Sequence, residues 1–149
     1  MKTFRPPLRR VLPLLIALGA MAAAAGPLIV TGAVVTSQRA ADGNVITDFV
    51  ITRVLFGTIQ GTMTSESTTI VHADGSVNYK QFDTCVCVVD GRAGISHFRS
   101  EGNGPSMPGS SGHAETIQDG EGALAGFHAS LDLVSFPVTL YSGTYHFDQ

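Results

Sequence analysis

The sequence predicts an all-β protein, a single small antiparallel β-barrel of about eight strands behind an N-terminal signal peptide. Three observations carry that reading. The pairs Asp42-Gly43, Asp74-Gly75 and Asp90-Gly91 are each flanked by β-branched and apolar residues, the strongest short-range hairpin signal. A glycine-rich stretch, Gly120-Glu121-Gly122-Ala123-Leu124-Ala125-Gly126, marks another sharp turn late in the chain. Finally, the 149 residues include no Trp, 17 Gly and only 14% charged side chains, a composition that fits β-structure better than helix or disorder.

The elements follow in order. Met1–Arg10 holds Lys2, Arg5, Arg9 and Arg10 and no acid, Val11–Leu18 is apolar, and Gly19–Gly26 is nearly all small residues. A basic start, a short apolar segment and a small-residue stretch that fits a peptidase make a secretory signal, with cleavage expected near residues 22–26 and residues 1–25 removed. Arg9-Arg10 is a faint twin-arginine echo, and the absence of a nearby cysteine argues against a lipid anchor. The competing reading is an uncleaved membrane anchor within 11–35, against which Gly26-Pro27 breaks the helix and Val30–Thr36 is wanted as a strand. Strands are expected over 29–38, 45–56, 58–72, 76–89, 92–101, 112–118, 127–134 and 136–147, giving one barrel domain over 29–148. Closure into a barrel removes the sticky edges of an exported open sheet. Gly102–Gly112, with its Asn, Gly, Pro and Ser residues, is expected to be the one loose loop.

The formal net charge of −3 becomes about −7 without the four basic residues of the signal. A nucleic-acid surface needs a basic footprint, so nucleic acid is excluded as a partner. Membrane contact is expected only through an uncleaved signal segment.

Three stretches then carry a resemblance: Phe56-Gly57-Thr58-Ile59-Gln60-Gly61, Val88-Val89-Asp90-Gly91-Arg92-Ala93-Gly94, and the Gly120–Gly126 turn, in that order. Together they resemble the DUF3224 family of bacterial proteins over residues 29–148. That family is similar in fold to the allene oxide cyclase barrels, which are calycin-like and eight-stranded. The resemblance implies an apolar cavity of ligand size, with no settled reaction. It also supports acids at Glu66 and Asp83.

The turns set an expected register. If Asp74-Gly75 and Asp90-Gly91 are both two-residue turns, Glu66 lies across from Asp83, and Asp83 faces Phe98. One face then holds Thr64, Glu66, Thr68, Ile70, Tyr79, Asp83, Cys85, Cys87, Ser96, Phe98 and Ser100. The other holds Ile59, Met63, Val71, Lys80, Phe82, Val86, Val88, Ile95, His97, Arg99 and Glu101. Long charged side chains prefer water, so the first face is taken as the lumen. Glu66 and Asp83, opposed and desolvated, would split their pKa values and serve as an acid/base pair. A single bulge, or two water-facing acids, would remove that pair. Tyr79, Cys85, Cys87, Phe98 and Ser100 are the expected ligand contacts, with Tyr79 donating a hydrogen bond.

Cys85-Val86-Cys87 places two thiols on one face, almost 7 Å apart in an extended strand. Buried thiols, a local bridge that bends the strand, and soft metal ligands all remain open. His72, His97, His113, His128 and His146 follow no zinc spacing, although His97 and His113 would approach if their strands pair. No metal or cofactor is expected, and the chain lacks a Gly-x-Ser-x-Gly elbow, a phosphate loop and a haem motif. Two functions follow. One is an exported barrel binding a small apolar molecule, with cyclase or isomerase chemistry if it is an enzyme. The other is a filled structural or interaction barrel acting through its outer face, for which a homo-oligomer would be natural.

Overall fold

The computed structural model describes residues 20–135 and 137–149. The signal-peptide expectation lies outside the described residues as far as Gly19. Among the described residues the chain forms nine strands: β1 (Ala22–Ala41), β2 (Asn44–Leu55), β3 (Ile59–Val71), β4 (Val77–Val89), β5 (Arg92–Gly104), β6 (Ser110–Thr116), β7 (Glu121–Gly122), β8 (Phe127–Ser135) and β9 (Thr139–Phe147). All pairings are antiparallel, in the order β4-β3-β2-β1-β9-β8-β6-β5, and β4 also pairs with β5. Eight strands thus close into a ring, and the two-residue β7 attaches to β5 at Gly94 and Ile95.

Side chains alternate in and out along each stave, as the pleat requires. On β4, Tyr79, Asp83, Cys85 and Cys87 are buried while Lys80, Phe82, Val86 and Val88 face outward. The inward core includes Met63, Phe98, Phe127, Leu131, Tyr141 and Tyr145. One end of the barrel is plugged by the glycine-rich turn, which inserts Leu124 at 0% exposure. A Cβ on Gly94 would lie 2.0 Å from Glu121 O and 3.1 Å from Leu124, so the plug seats only because Gly94 has no side chain.

Strand β1 starts seven residues before the expected first strand. Its first part, Ala22–Leu28, pairs with Tyr145–Thr139 of β9 and closes the ring. Small residues suit this seam: Ala24 sits opposite Gly143, and Gly26 opposite Tyr141. A Cβ on Gly26 would lie 1.9 Å from Phe56 O. The space leaves the Tyr141 hydroxyl free to accept the Ile59 N–H at 2.9 Å and donate to Phe56 O at 2.8 Å. Beyond Leu28, β1 leaves β9 and continues with β2 alone, through register shifts at Val30/Gly32 and Val35/Ser37.

The expected loose loop is shorter than Gly102–Gly112. β5 runs on to Gly104, and a single 3₁₀ turn at Met107–Gly109 leads directly into β6.

The hairpin turns explain one correct register and one incorrect one. Asp42-Gly43 and Asp90-Gly91 are two-residue turns with positive φ at both positions, 50° and 79°, and 51° and 73°. Asp83 accordingly faces Phe98, as expected. Around Asp74-Gly75 only the glycine is left-handed, at φ 86°. There the His72 N–H donates to Ser76 O at 2.8 Å and the Gly75 N–H to His72 O at 2.9 Å, a three-residue loop. Asp74 caps it by accepting the Ser76 N–H at 2.9 Å and its hydroxyl at 2.6 Å. The extra residue shifts β3 by one position, so Ser65 faces Asp83 and Glu66 faces Phe82. A one-residue shift exchanges the two faces of a strand. Thr64, Glu66, Thr68 and Ile70 therefore leave the lumen, and Met63, Ser65, Ser67 and Thr69 enter it.

Candidate functional site

The barrel encloses a cavity of about 340 Å³. Leu28, Leu55, Met63, Phe98, Leu131 and Leu133 supply much of its apolar wall, and Met107, Pro108 and Pro137 line it where it reaches the barrel end. Within this wall, Arg53, Tyr79, Gln81, Asp83 and Ser100 bring polar groups.

The register aligns these groups in neighbouring rows. Ser65 joins Ile51 to Asp83, and Asp83 in turn joins Phe98. One row over, Arg53 opposes Met63, and its guanidinium donates to the Ser65 hydroxyl. Asp83 is 2% exposed. Its Oδ2 accepts the Ser100 hydroxyl at 2.5 Å, while Oδ1 is buried without a hydrogen-bond partner. Burial lowers the Arg53 pKa from the ordinary arginine range, and the Asp83 carboxylate opposes that shift. No ion pair within 4 Å joins Arg53 to Asp83.

Tyr79 is also buried, and its ring lies against the inward-facing Gly102 and Gly112. A Cβ at either would come within 2.6 Å of the Tyr79 hydroxyl. Loss of water raises its pKa, with Asp83 adding to the rise and Arg53 opposing it. The phenol therefore remains a neutral donor at ordinary pH.

Of the residues expected at the site, Tyr79, Asp83, Phe98 and Ser100 line the cavity together. Glu66 does not. It is exposed on the outer face beside Phe82, so the expected Glu66–Asp83 acid/base pair is not assembled. Cys85 and Cys87 are buried in the barrel wall and joined by a disulfide, with Cα atoms 5.4 Å apart. This shortens the almost 7 Å of an extended strand. Glycines lie on both sides of Cys87, Gly61 on β3 and Gly94 on β5. Neither cysteine lines the cavity.

Two site features escaped the sequence reading. Arg53 lies on β2, for which the hairpin turns set no face; its stem crosses an apolar wall and a serine receives its head. The pairing of Arg53 with Met63 is its signal, visible only once the β2–β3 register is known. The second feature is at the other end of the β8–β9 hairpin. His128 and His146 are direct cross-strand partners there, with Asp148 beside them. His97 and His113 do not meet: His113 opposes Glu101, and the Ile117 N–H donates to His97 O.

No protein-family model matches the chain, and no curated protein does. Among solved structures, it is similar to the crystal structure of a protein of unknown function from the DUF3224 family of Shewanella oneidensis MR-1. The two agree with a TM-score of 0.74 at 18% identity, covering 87% of this chain and 100% of the other. The chain therefore has the fold of a DUF3224 protein, as the three glycine-bearing stretches implied.

Proposed function

We propose that this barrel, in the fold of an uncharacterised family, binds one small, largely apolar molecule that carries a hydrogen-bond donor. The carrying observation is Asp83 Oδ1, buried and without a partner on the wall of a largely apolar cavity. A stranded buried acceptor costs about 1–3 kcal/mol, and a ligand N–H or O–H would recover it. Ligand pockets of this kind are mostly apolar with a few placed polar groups, and about 300 Å³ is enough for a small one. Beside the Asp83 acceptor, Arg53 and Tyr79 supply donors, so the recognised end of the ligand combines a donor and an acceptor. The basic, apolar and small-residue order of the N-terminus supports an exported protein. Carboxylate-pair chemistry has no place in this reading, because Glu66 is on the outer face.

The test is native mass spectrometry of the protein purified from its own host, followed by mass analysis of whatever denaturation releases. A reproducible small apolar passenger, depleted in Asp83→Asn and Ser100→Ala, is the expected result. A clean protein mass in an oligomer overturns it and favours an interaction barrel. The specific observation behind that second reading is the apolar outer face of β4, where Phe82, Val86 and Val88 are 45%, 61% and 41% exposed.

A further inference from the structure

We infer that His128, His146 and Asp148 form a binding site for a late first-row divalent metal ion such as Zn²⁺, on the outer face at the end of the β8–β9 hairpin away from its turn. The site lies apart from the cavity. His128 is seven residues from Ser135, where the hairpin turns, about 23 Å at strand rise, and none of the three residues lines the cavity.

The geometry is built by the strand pairing. His128 and His146 oppose each other directly, and their rings stack with centroids 5.1 Å apart and planes inclined by 24°. Both Nε2 atoms reach the Asp148 carboxylate. Asp148 follows His146 by two residues and so returns to the same face. Its position is held, because its N–H donates to Gly126 O at 2.8 Å and carries the ladder one step beyond Phe127–Phe147.

Gly126 gives the carboxylate its room. It lies opposite Asp148 at φ 74°, and a Cβ there would sit 3.1 Å from the Asp148 Cβ. With that space open, Asp148 Oδ2 reaches His128 Nε2 at 3.0 Å and Oδ1 reaches His146 Nε2 at 3.7 Å. The three ligand atoms all lie within 4.8 Å of one another. A tetrahedral Zn²⁺ with bonds of about 2.0–2.1 Å needs its ligands about 3.3 Å apart. Small rotations of these partly exposed side chains close the difference.

The donor set is two imidazole nitrogens and one carboxylate oxygen, which suits zinc, copper or nickel rather than calcium or magnesium. Three protein ligands leave a fourth tetrahedral position for water. The bound ion would clip the end of β9 to the start of β8. His113 and Asp132 form another His–Asp pair on the outer face, with Nδ1 and Oδ1 3.3 Å apart. It has no third ligand in reach among the described residues, which makes it an internal control.

The test is calorimetric titration of the tag-free full chain with Zn²⁺. One saturating equivalent is expected. Loss of even an outer-shell partner of a metal site costs about 10–100-fold in affinity, so His128→Asn and His146→Asn should each weaken binding at least tenfold, with His113→Asn unchanged. Zinc should also raise the melting temperature of the wild type and not of the double variant. The two histidines lie on different strands, so either single variant gives a reading if the other fails to fold. No saturable binding, wild-type affinity in the folded variants, or equal loss in His113→Asn would overturn the site.

Discussion

Tyr141→Phe isolates a single oxygen at the seam of the barrel. The Tyr141 hydroxyl accepts the N–H of Ile59 at 2.9 Å and donates to Phe56 O at 2.8 Å, tying β9 to the β2–β3 turn across 82 residues of chain. Ile59 is 0% exposed, so water does not replace the lost acceptor. The net loss of a hydrogen bond costs about 1 kcal/mol and a stranded buried donor about 1–3 kcal/mol, and together about 2.5 kcal/mol is expected. With an unfolding entropy of about 2.1 cal/mol/K per residue over roughly 130 residues, this lowers the melting temperature by about 9 °C. Tyr145→Phe is the comparison. Its hydroxyl donates at 2.7 Å to the carboxylate of Asp90, a turn residue open to water, so about 1 kcal/mol or less is expected. Circular dichroism is the right probe, since the chain has no Trp and the substitution itself alters the Tyr signal. Urea unfolding should show a lower midpoint with an unchanged slope. If Tyr141→Phe melts within 2 °C of Tyr145→Phe, the buried-acceptor argument is wrong.

Further outcomes follow from the same structure. The chain's three tyrosines are Tyr79, Tyr141 and Tyr145; burial is the main cause raising the first two, and the hydrogen bond to Asp90 the main cause for the third. The folded state holds these protons more tightly than the unfolded chain, whose tyrosines titrate near about 10. The associated stability is full below that pH and is lost as pH rises through the folded values. Tyrosinate absorbance should stay flat past about pH 10 and appear together with the loss of ellipticity; a phenol titrating earlier in intact protein would contradict this. Asp48 has the opposite sign. Hydrogen bonds from Ser37, then Thr68, with Arg39 adding a weaker pull, hold its carboxyl below the usual range. Its contribution is present above the ordinary carboxylate value and fades as pH falls through the lowered one. Hydrogen-exchange protection of the β1–β2 hairpin should therefore decline in acid in the wild type and be flat in Asp48→Asn. Gly94→Ala forces a Cβ to 2.0 Å from Glu121 O. It should unseat the Leu124 plug at a cost on the order of 3 kcal/mol, measured by urea unfolding; a neutral result would show that the plug has slack.

Much of the fold was legible because the turns are local chemistry. Asp42-Gly43 and Asp90-Gly91 adopt positive φ at both residues and fix their registers without outside help. Asp74-Gly75 is the same dipeptide in a different loop. Its decisive partner is Ser76, whose N–H and hydroxyl both go to the Asp74 carboxylate; an acid followed two residues later by serine was the available signal. That one loop residue removed Glu66 from the site while leaving Tyr79, Asp83, Phe98 and Ser100 in place, because β4 and β5 are set by the other turn. Arg53 needed the β2–β3 register before its direction was known. The His128–His146 pair needed the β8–β9 register, and the connection before Thr139 carries Pro137-Val138 with no glycine or asparagine to set it.

The small residues that suggest a peptidase site are also the stave that shuts the barrel. Ala22 to Ala25 hold four of the seven ladder positions between β1 and β9, and Gly26, Pro27 and Leu28 hold the rest. Pro27 has no N–H to give. A chain trimmed after Ala25 would keep a seam too short to hold the ring and would bare the edge of β9 to other chains. Trimming before Ala22 would leave the seam whole. If the chain is cut among these alanines, cleavage and closure would compete for the same residues, and a difference of four residues in the cut would separate a ring with its whole seam from one with the edge of β9 exposed.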